Sequence, residues 1–185
     1  MRLSTVIFAA ALVGCAKGPE LEPGAGAQEV NGHAVATDAG VRVEVDPSDW
    51  YGLSLDEPEL VRLNVNIQNN SGRSIELSHD TFALVGDNGQ VWRPIDPDRP
   101  DMIDLDLRDE LLERTDLERT VEGPRDAYDH EIEGNLYFMA VTTDRVTFEM
   151  DLVDANTGQT FGNISIPFDV SNLDEDQRSR AVSLR

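Results

Sequence analysis

The side chains best suited to hold a metal ion lie in one short acidic stretch. Asp96, Asp98 and Asp101 stand close together and are followed by further aspartates. Closely spaced carboxylate oxygens are ligands that Ca²⁺ favours. An EF-hand loop beginning at Asp96 would need glycine at its sixth position and an acid at its twelfth, where this chain has Asp101 and Leu107. A calcium site is therefore weighed against a solvated acidic loop that leads into a helix, and the solvated loop is favoured.

The three histidines offer little for catalysis. His33, His79 and His130 belong to no catalytic or metal-binding motif, and the chain has no nucleophile elbow and no phosphate-binding glycine loop. His79 with Asp80, or His130 with Asp129, could in principle form an acid–base pair. Solvated polar residues at strand ends are the simpler interpretation. We expect no catalytic residues and no cofactor, and we expect that the protein is not an enzyme.

The single cysteine lies at the end of an N-terminal export signal. Arg2 supplies a positive charge, and residues 3–13 are almost wholly apolar, a run shorter than the ~20 residues that span a membrane. The run ends in Leu12-Val13-Gly14-Cys15. These residues resemble the lipobox of bacterial lipoproteins. The resemblance implies that residues 1–14 are a signal peptide and that Cys15 carries a covalent diacylglycerol lipid. The alternative is an ordinary secretory signal with an incidental cysteine, but a lone cysteine at this place favours lipidation.

The residue after the cysteine bears on the destination of the protein. In the Gram-negative lipoproteins that this sequence resembles, Asp at that place favours retention in the inner membrane. Ala16 therefore implies delivery to the outer membrane. The sequence leaves open whether the domain faces the periplasm or the cell surface.

The charge of the chain excludes some partners. The formal net charge is -21, and removal of residues 1–14 deletes Arg2 and no acid, which makes it -22. A chain this acidic is repelled by nucleic acid and by anionic lipid. Membrane attachment must then come from acyl chains, which anchor stably when more than one is present.

The stretch that follows the cysteine predicts a tether. Residues 15–40 are rich in Gly, Ala, Pro and Glu without apolar periodicity, and Pro19, Pro23 and Gly24 interrupt regular structure. We expect a flexible tether, although Val35 would allow the end of this stretch to pack on the domain.

Period-two alternation of apolar and polar residues predicts strands between 41 and 170. The clearest run extends from Val61 to Ile67, and turns are expected at 69–72, 87–89 and 156–158. Residues 136–141 are apolar on both faces and predict a central strand, whereas Pro167 suggests an edge strand. Seven or eight such strands predict an all-β antiparallel sandwich, followed by a polar C-terminal tail over 171–185.

The strand phrases also resemble a known class of domain. The residues from Leu60 to Gly72, the phrase Phe82-Ala83-Leu84-Val85 before the acidic turn at 87–89, and the later phrase beginning at Gly134 are similar to immunoglobulin-like domains of bacterial lipoproteins of unknown function. The resemblance implies an immunoglobulin-like sandwich and no particular activity.

One segment interrupts the strand pattern. Residues 95–133 carry 15 acids and 5 arginines, and Ile103, Leu107 and Leu111 fall on one helical face. We expect a helix over about 102–114, although residues 102–107 also alternate and leave a strand possible there. This insertion would either bind a partner, since its charge would steer a basic protein, or act as a structural cap on the sandwich.

The preferred function is that of a membrane-anchored lipoprotein of the bacterial cell envelope. It would act as a non-enzymatic binding or accessory module, with the membrane and an envelope protein as partners and no nucleic acid. The alternatives are a calcium-stabilised envelope domain and an enzyme with a loop-borne site.

Overall fold

A computed structural model describes residues 20–48, 60–95, 120–121, 130–171 and 173. These residues form twelve strands and one 3-10 turn, His79–Thr81. The strands are β1 Glu20–Pro23, β2 Gln28–Val30, β3 His33–Asp38, β4 Val41–Asp46, β5 Leu60–Asn69, β6 Ile75–Glu76, β7 Phe82–Gly86, β8 Val91–Trp92, β9 Thr120–Val121, β10 Glu131–Met139, β11 Arg145–Asp154 and β12 Thr160–Ser171.

The strands form two antiparallel sheets that enclose one core. The five-stranded sheet has the order β10-β5-β4-β3-β2, and the seven-stranded sheet has the order β1-β12-β11-β6-β9 with β7 and β8 alongside β11. The predicted antiparallel β-sandwich is confirmed, with twelve strands in place of seven or eight. The predicted helix over 102–114 lies outside the described residues.

The core follows the predicted alternation. Val65 and Phe148 are fully buried, whereas their neighbours Asn64 and Glu149 lie on the outer faces and are half-buried. Four phenylalanines fill the centre between the sheets: Phe82, Phe138, Phe148 and Phe168. The predicted register of the two longest strand patterns is therefore confirmed.

The prediction of a flexible tether over 15–40 is wrong for residues 20–38. These residues form β1, β2 and β3, and Leu21 and Ala34 belong to the core. The inward side chains of β3 are alanines, which are too small to give a hydrophobic alternation. Gly24 allows a close approach where β1 ends, because a Cβ there would lie 3.1 Å from the backbone of Pro167 and Phe168.

Two strand positions differ from the prediction. The strand that contains Leu136 is β10, which ends the order of its sheet and is not central, although Tyr137 on its outer face is only 2% exposed. Pro167 lies in β12, between β1 and β11, and not at an edge. Its missing N–H is tolerated because the Gly24 carbonyl opposite accepts from the Ala27 amide instead, at 3.0 Å.

The acidic insertion is partly built into the fold. Its residues Thr120–Val121 form β9, which pairs with β6, and its last residues begin β10. The boundaries 95–133 were therefore too wide. The segment therefore contributes a paired strand to the seven-stranded sheet.

Candidate binding face on the five-stranded sheet

The outer side of the five-stranded sheet gathers polar side chains from four neighbouring strands. Alternate residues of a strand point to opposite faces of the sheet. In β4 and β5 the polar residues that alternate with buried apolar residues therefore all point outward. Strand register aligns them in rows across the sheet. We call this surface the polar face and define it by His33, Arg42, Glu44, Asp46, Asn64, Asn66, Gln68, Glu131, Glu133 and Asn135.

A carboxylate held by two amides lies at one side of the polar face. The side-chain amides of Asn66 and Gln68 both donate to Oε1 of Glu131, at 2.8 and 3.2 Å. These two hydrogen bonds lower the pKa of Glu131, with smaller contributions from the charges of His130 and Arg42. The two hydrogen bonds therefore favour the ionised carboxylate and join β5 to β10 through their side chains.

A second group of charges lies on β3 and β4. Nδ1 of His33 is 3.7 Å from Oε2 of Glu44, and its Nε2 is 3.7 Å from Oδ2 of Asp46. The Arg42 guanidinium forms an ion pair with the same Glu44. This group places the His33 imidazole between two carboxylates and the Arg42 guanidinium against one of them, beside the amides of β5.

Shielded polar atoms without a hydrogen-bond partner among the described residues occur on this side of the sheet. Oδ1 of Asn66 and the hydroxyl of Tyr137 are shielded from solvent, and neither has a partner in the part of the chain that the structure describes. A buried polar atom left unpaired is unfavourable by about 1–3 kcal/mol.

The residues singled out from the sequence do not gather into one site. Cys15, Asp96, Asp98 and Asp101 lie outside the described residues. His79 lies in the 3-10 turn beside the seven-stranded sheet.

His130, by contrast, directly precedes β10 of the five-stranded sheet, where its carbonyl accepts from the Asn69 amide at 2.7 Å. Among the described residues, no three His, Cys, Asp or Glu side chains are placed to hold a metal ion.

From the sequence alone, the residues of the polar face on β5 are predicted only to be the solvated side of a strand. The signal that marks this face is the amide series Asn64, Asn66 and Gln68, because asparagine is depleted in strands. The partners of these amides come from β10, more than 60 residues away, and their position beside β5 depends on strand order.

No stretch of the described chain forms a helix with the length and apolar character needed to cross a bilayer. No protein-family model matches the chain, and no curated protein matches it.

Two solved structures, both from Bacillus subtilis, are similar to it. The yjhA protein has a TM-score of 0.43 and 17% identity over 66% of this chain and 82% of that one. The candidate lipoprotein ycdA has a TM-score of 0.45 and 14% identity over 82% of this chain, which spans 42% of that protein.

Proposed function

We propose that this protein is a lipid-anchored lipoprotein of the bacterial cell envelope whose β-sandwich is a non-enzymatic binding or accessory module. The observation that carries the proposal is the sequence Leu12-Val13-Gly14-Cys15 at the end of a charged and then apolar leader. The lipid on Cys15 is its membrane anchor, and Ala16 directs it to the outer membrane. No cofactor takes part.

The fold is compatible with this anchoring. Strand β1 begins at Glu20, five residues after Cys15, and its Leu21 side chain is buried in the core. A lipid on Cys15 would therefore be coupled closely to the folded domain.

The polar face supports the binding role. Three of its groups, the amides of Asn66 and Gln68 and the carboxylate of Glu131, are joined by cross-strand hydrogen bonds, which reduces the side-chain entropy that they would lose on binding. An envelope protein that presents hydrogen-bond donors and positive charge would match it. The acidic insertion stays a second candidate surface, since most of it lies outside the described residues.

Metabolic labelling tests the anchor. Labelled palmitate should enter the wild-type protein and an Ala16→Ser control, and it should not enter Cys15→Ser. The Cys15→Ser protein should remain unprocessed or leave the membrane fraction. The proposal fails if the wild type takes up no label and both proteins fractionate alike.

Photo-crosslinking in cells tests the binding face. A crosslinking residue would be introduced at Asn64 on the polar face, at Ser165 on the outer side of the seven-stranded sheet, or at Glu110 in the insertion. We expect one envelope protein to be captured from position 64, and this capture should be lost when Asn66→Ala is added. Capture from 110 alone would assign binding to the insertion, and capture from 165 alone would reject both surfaces.

A further inference from the structure

The two ends of the sandwich differ in their distance along the chain from Cys15. Glu20 pairs with Ser171, the Val170 amide donates to the Asp144 carbonyl, and the Asp87 amide donates to the Arg145 carbonyl. These contacts place the start of β1, the end of β12 and the β7–β8 turn together. We call this the anchor end.

The opposite end carries the turns farthest from that point. There the Asn70 amide donates to the Gly40 carbonyl, and the Ala155 amide donates to the Ser74 carbonyl. We call this the distal end. Strand β11 runs from the anchor end to the distal end over ten residues, which at about 3.3 Å per residue separates the two ends by about 30 Å.

Covalent geometry limits how far the anchor end can stand from the lipid. A fully extended chain spans at most about 3.6 Å per residue, so the five steps from Cys15 to Glu20 cover no more than about 18 Å. This limit is shorter than the length of the sandwich. The distal end can approach the bilayer only if the domain lies on its side.

The described part of the surface offers little apolar area that could hold a side of the domain against lipid. Among the described residues, the large apolar side chains that are exposed are Val91 at 51% and Met139 at 43%, and they belong to different sheets. No broad apolar patch on either outer face would hold that face against lipid. The acidic character of the chain further disfavours contact with anionic headgroups.

We infer that the anchor end of the sandwich faces the headgroup region of the bilayer that holds Cys15, and that the distal turns point away from it. This inference rests on the proposed lipid anchor. The anchor end carries Glu20, Asp87 and Asp144, and the guanidinium of Arg145 is engaged with Asp169 at 3.1 Å. It therefore lies against the headgroups because of the short chain connection and does not insert among them.

Distance measurements on the lipidated, full-length protein test this orientation. Because Cys15 is the only cysteine and carries the lipid, an engineered cysteine is the single free thiol. A nitroxide label would be attached in Asp87→Cys at the anchor end or in Asn156→Cys at the distal end, both exposed turn positions. The proteins would be reconstituted in phosphatidylcholine vesicles containing a nickel-chelating lipid, whose headgroup enhances nitroxide relaxation at short range.

We expect relaxation at position 87 to be several-fold faster than at position 156. A Gly/Ser spacer of 20 residues inserted after Gly18 should bring the two rates close together, because it lengthens the reach to roughly the size of the domain. Equal rates without the spacer, faster relaxation at 156, or a difference that the spacer leaves unchanged would each overturn the inference. Absence of palmitate label in the same preparation would instead show that the proposed anchor itself is wrong.

Discussion

The two outer faces of the sandwich differ in how their polar side chains are held. On the five-stranded sheet, the outward residues of β5 are half-buried, and two of them are bonded to a carboxylate of the neighbouring strand. On the seven-stranded sheet, Asn163, Ser165 and Asp169 of β12 are exposed. Their cross-strand contacts are isolated pairs, such as the Asn163 side-chain amide donating to Asp151 at 3.0 Å.

The inner faces show no such difference. Both sheets turn an unbroken row of apolar residues inward, for example Val65 and Ile67 from one sheet and Phe148 and Met150 from the other. The comparison indicates that the core requires similar packing from each sheet. The extra organisation of the polar face is not needed for the core, so it is the better candidate for a function.

The largest effects on stability should come from the inner layer and should be alike in the two sheets. Val65→Ala and Val146→Ala each remove two methyl groups from a buried site. Each should lower the free energy of unfolding by ~1–3 kcal/mol, as measured by urea denaturation. A negligible loss at only one of them would show that the two inner layers are not equivalent.

The sandwich itself was predictable because β4, β5 and β11 alternate large apolar and polar residues. The position of β3 was not predictable. Its inward residues are the small Ala34 and Ala36, and its larger apolar residue, Val35, points outward, which is the reverse of the usual alternation. Strand β1 has one buried apolar residue, Leu21, and no periodicity can be detected from one residue.

The candidate face was less predictable than the fold. Its residues were visible as the polar half of an alternating strand, but the partner of Asn66 and Gln68 is fixed by pairing between β5 and β10. The long acidic insertion lies between those two strands in the sequence. Its charge made the insertion, and not the polar face, the predicted binding surface. Local alternation shows which side of a strand is polar and does not show what lies beside it.

A smaller effect should distinguish a hydroxyl without a partner from one that is bonded. Tyr137→Phe removes the buried hydroxyl that has no partner among the described residues, and the free energy of unfolding should rise by about 1 kcal/mol. The matched control is Thr143→Val, because the Thr143 hydroxyl is buried and donates to the Arg145 carbonyl at 2.9 Å. The control should lose about 1 kcal/mol. A loss of the same size in Tyr137→Phe would mean that its hydroxyl is bonded in solution.

The pKa of Glu131 should depend directly on the hydrogen bonds from Asn66 and Gln68. Asn66→Ala and Gln68→Ala each remove a hydrogen bond that favours the ionised carboxylate, so each should raise the pKa of Glu131 toward its ordinary value. Because the folded-state pKa is lowered, this carboxylate stabilises the protein above its unfolded-state pKa. That contribution is lost as the pH falls through the folded-state pKa.

Carboxyl NMR shifts followed against pH measure this change. Asn163→Ala, which removes a comparable amide on the other sheet, should leave the titration of Glu131 as it is. If neither polar-face variant moves the titration, the two hydrogen bonds are not maintained in solution, and the contrast between the faces is lost.

The smallest effect is expected for the ion pair on the seven-stranded sheet. Nε of Arg145 lies 3.1 Å from Oδ1 of Asp169, with 73% and 51% of the two side chains exposed. Water and salt screen such a pair, and holding two mobile side chains offsets part of the attraction. A double-mutant cycle with Arg145→Ala and Asp169→Ala should therefore give a coupling of about 0.2–1 kcal/mol that declines as salt is added.

A larger coupling that persists at high salt would mean that this face also holds its polar groups in a fixed arrangement. In that case the organisation of side chains could no longer single out the polar face.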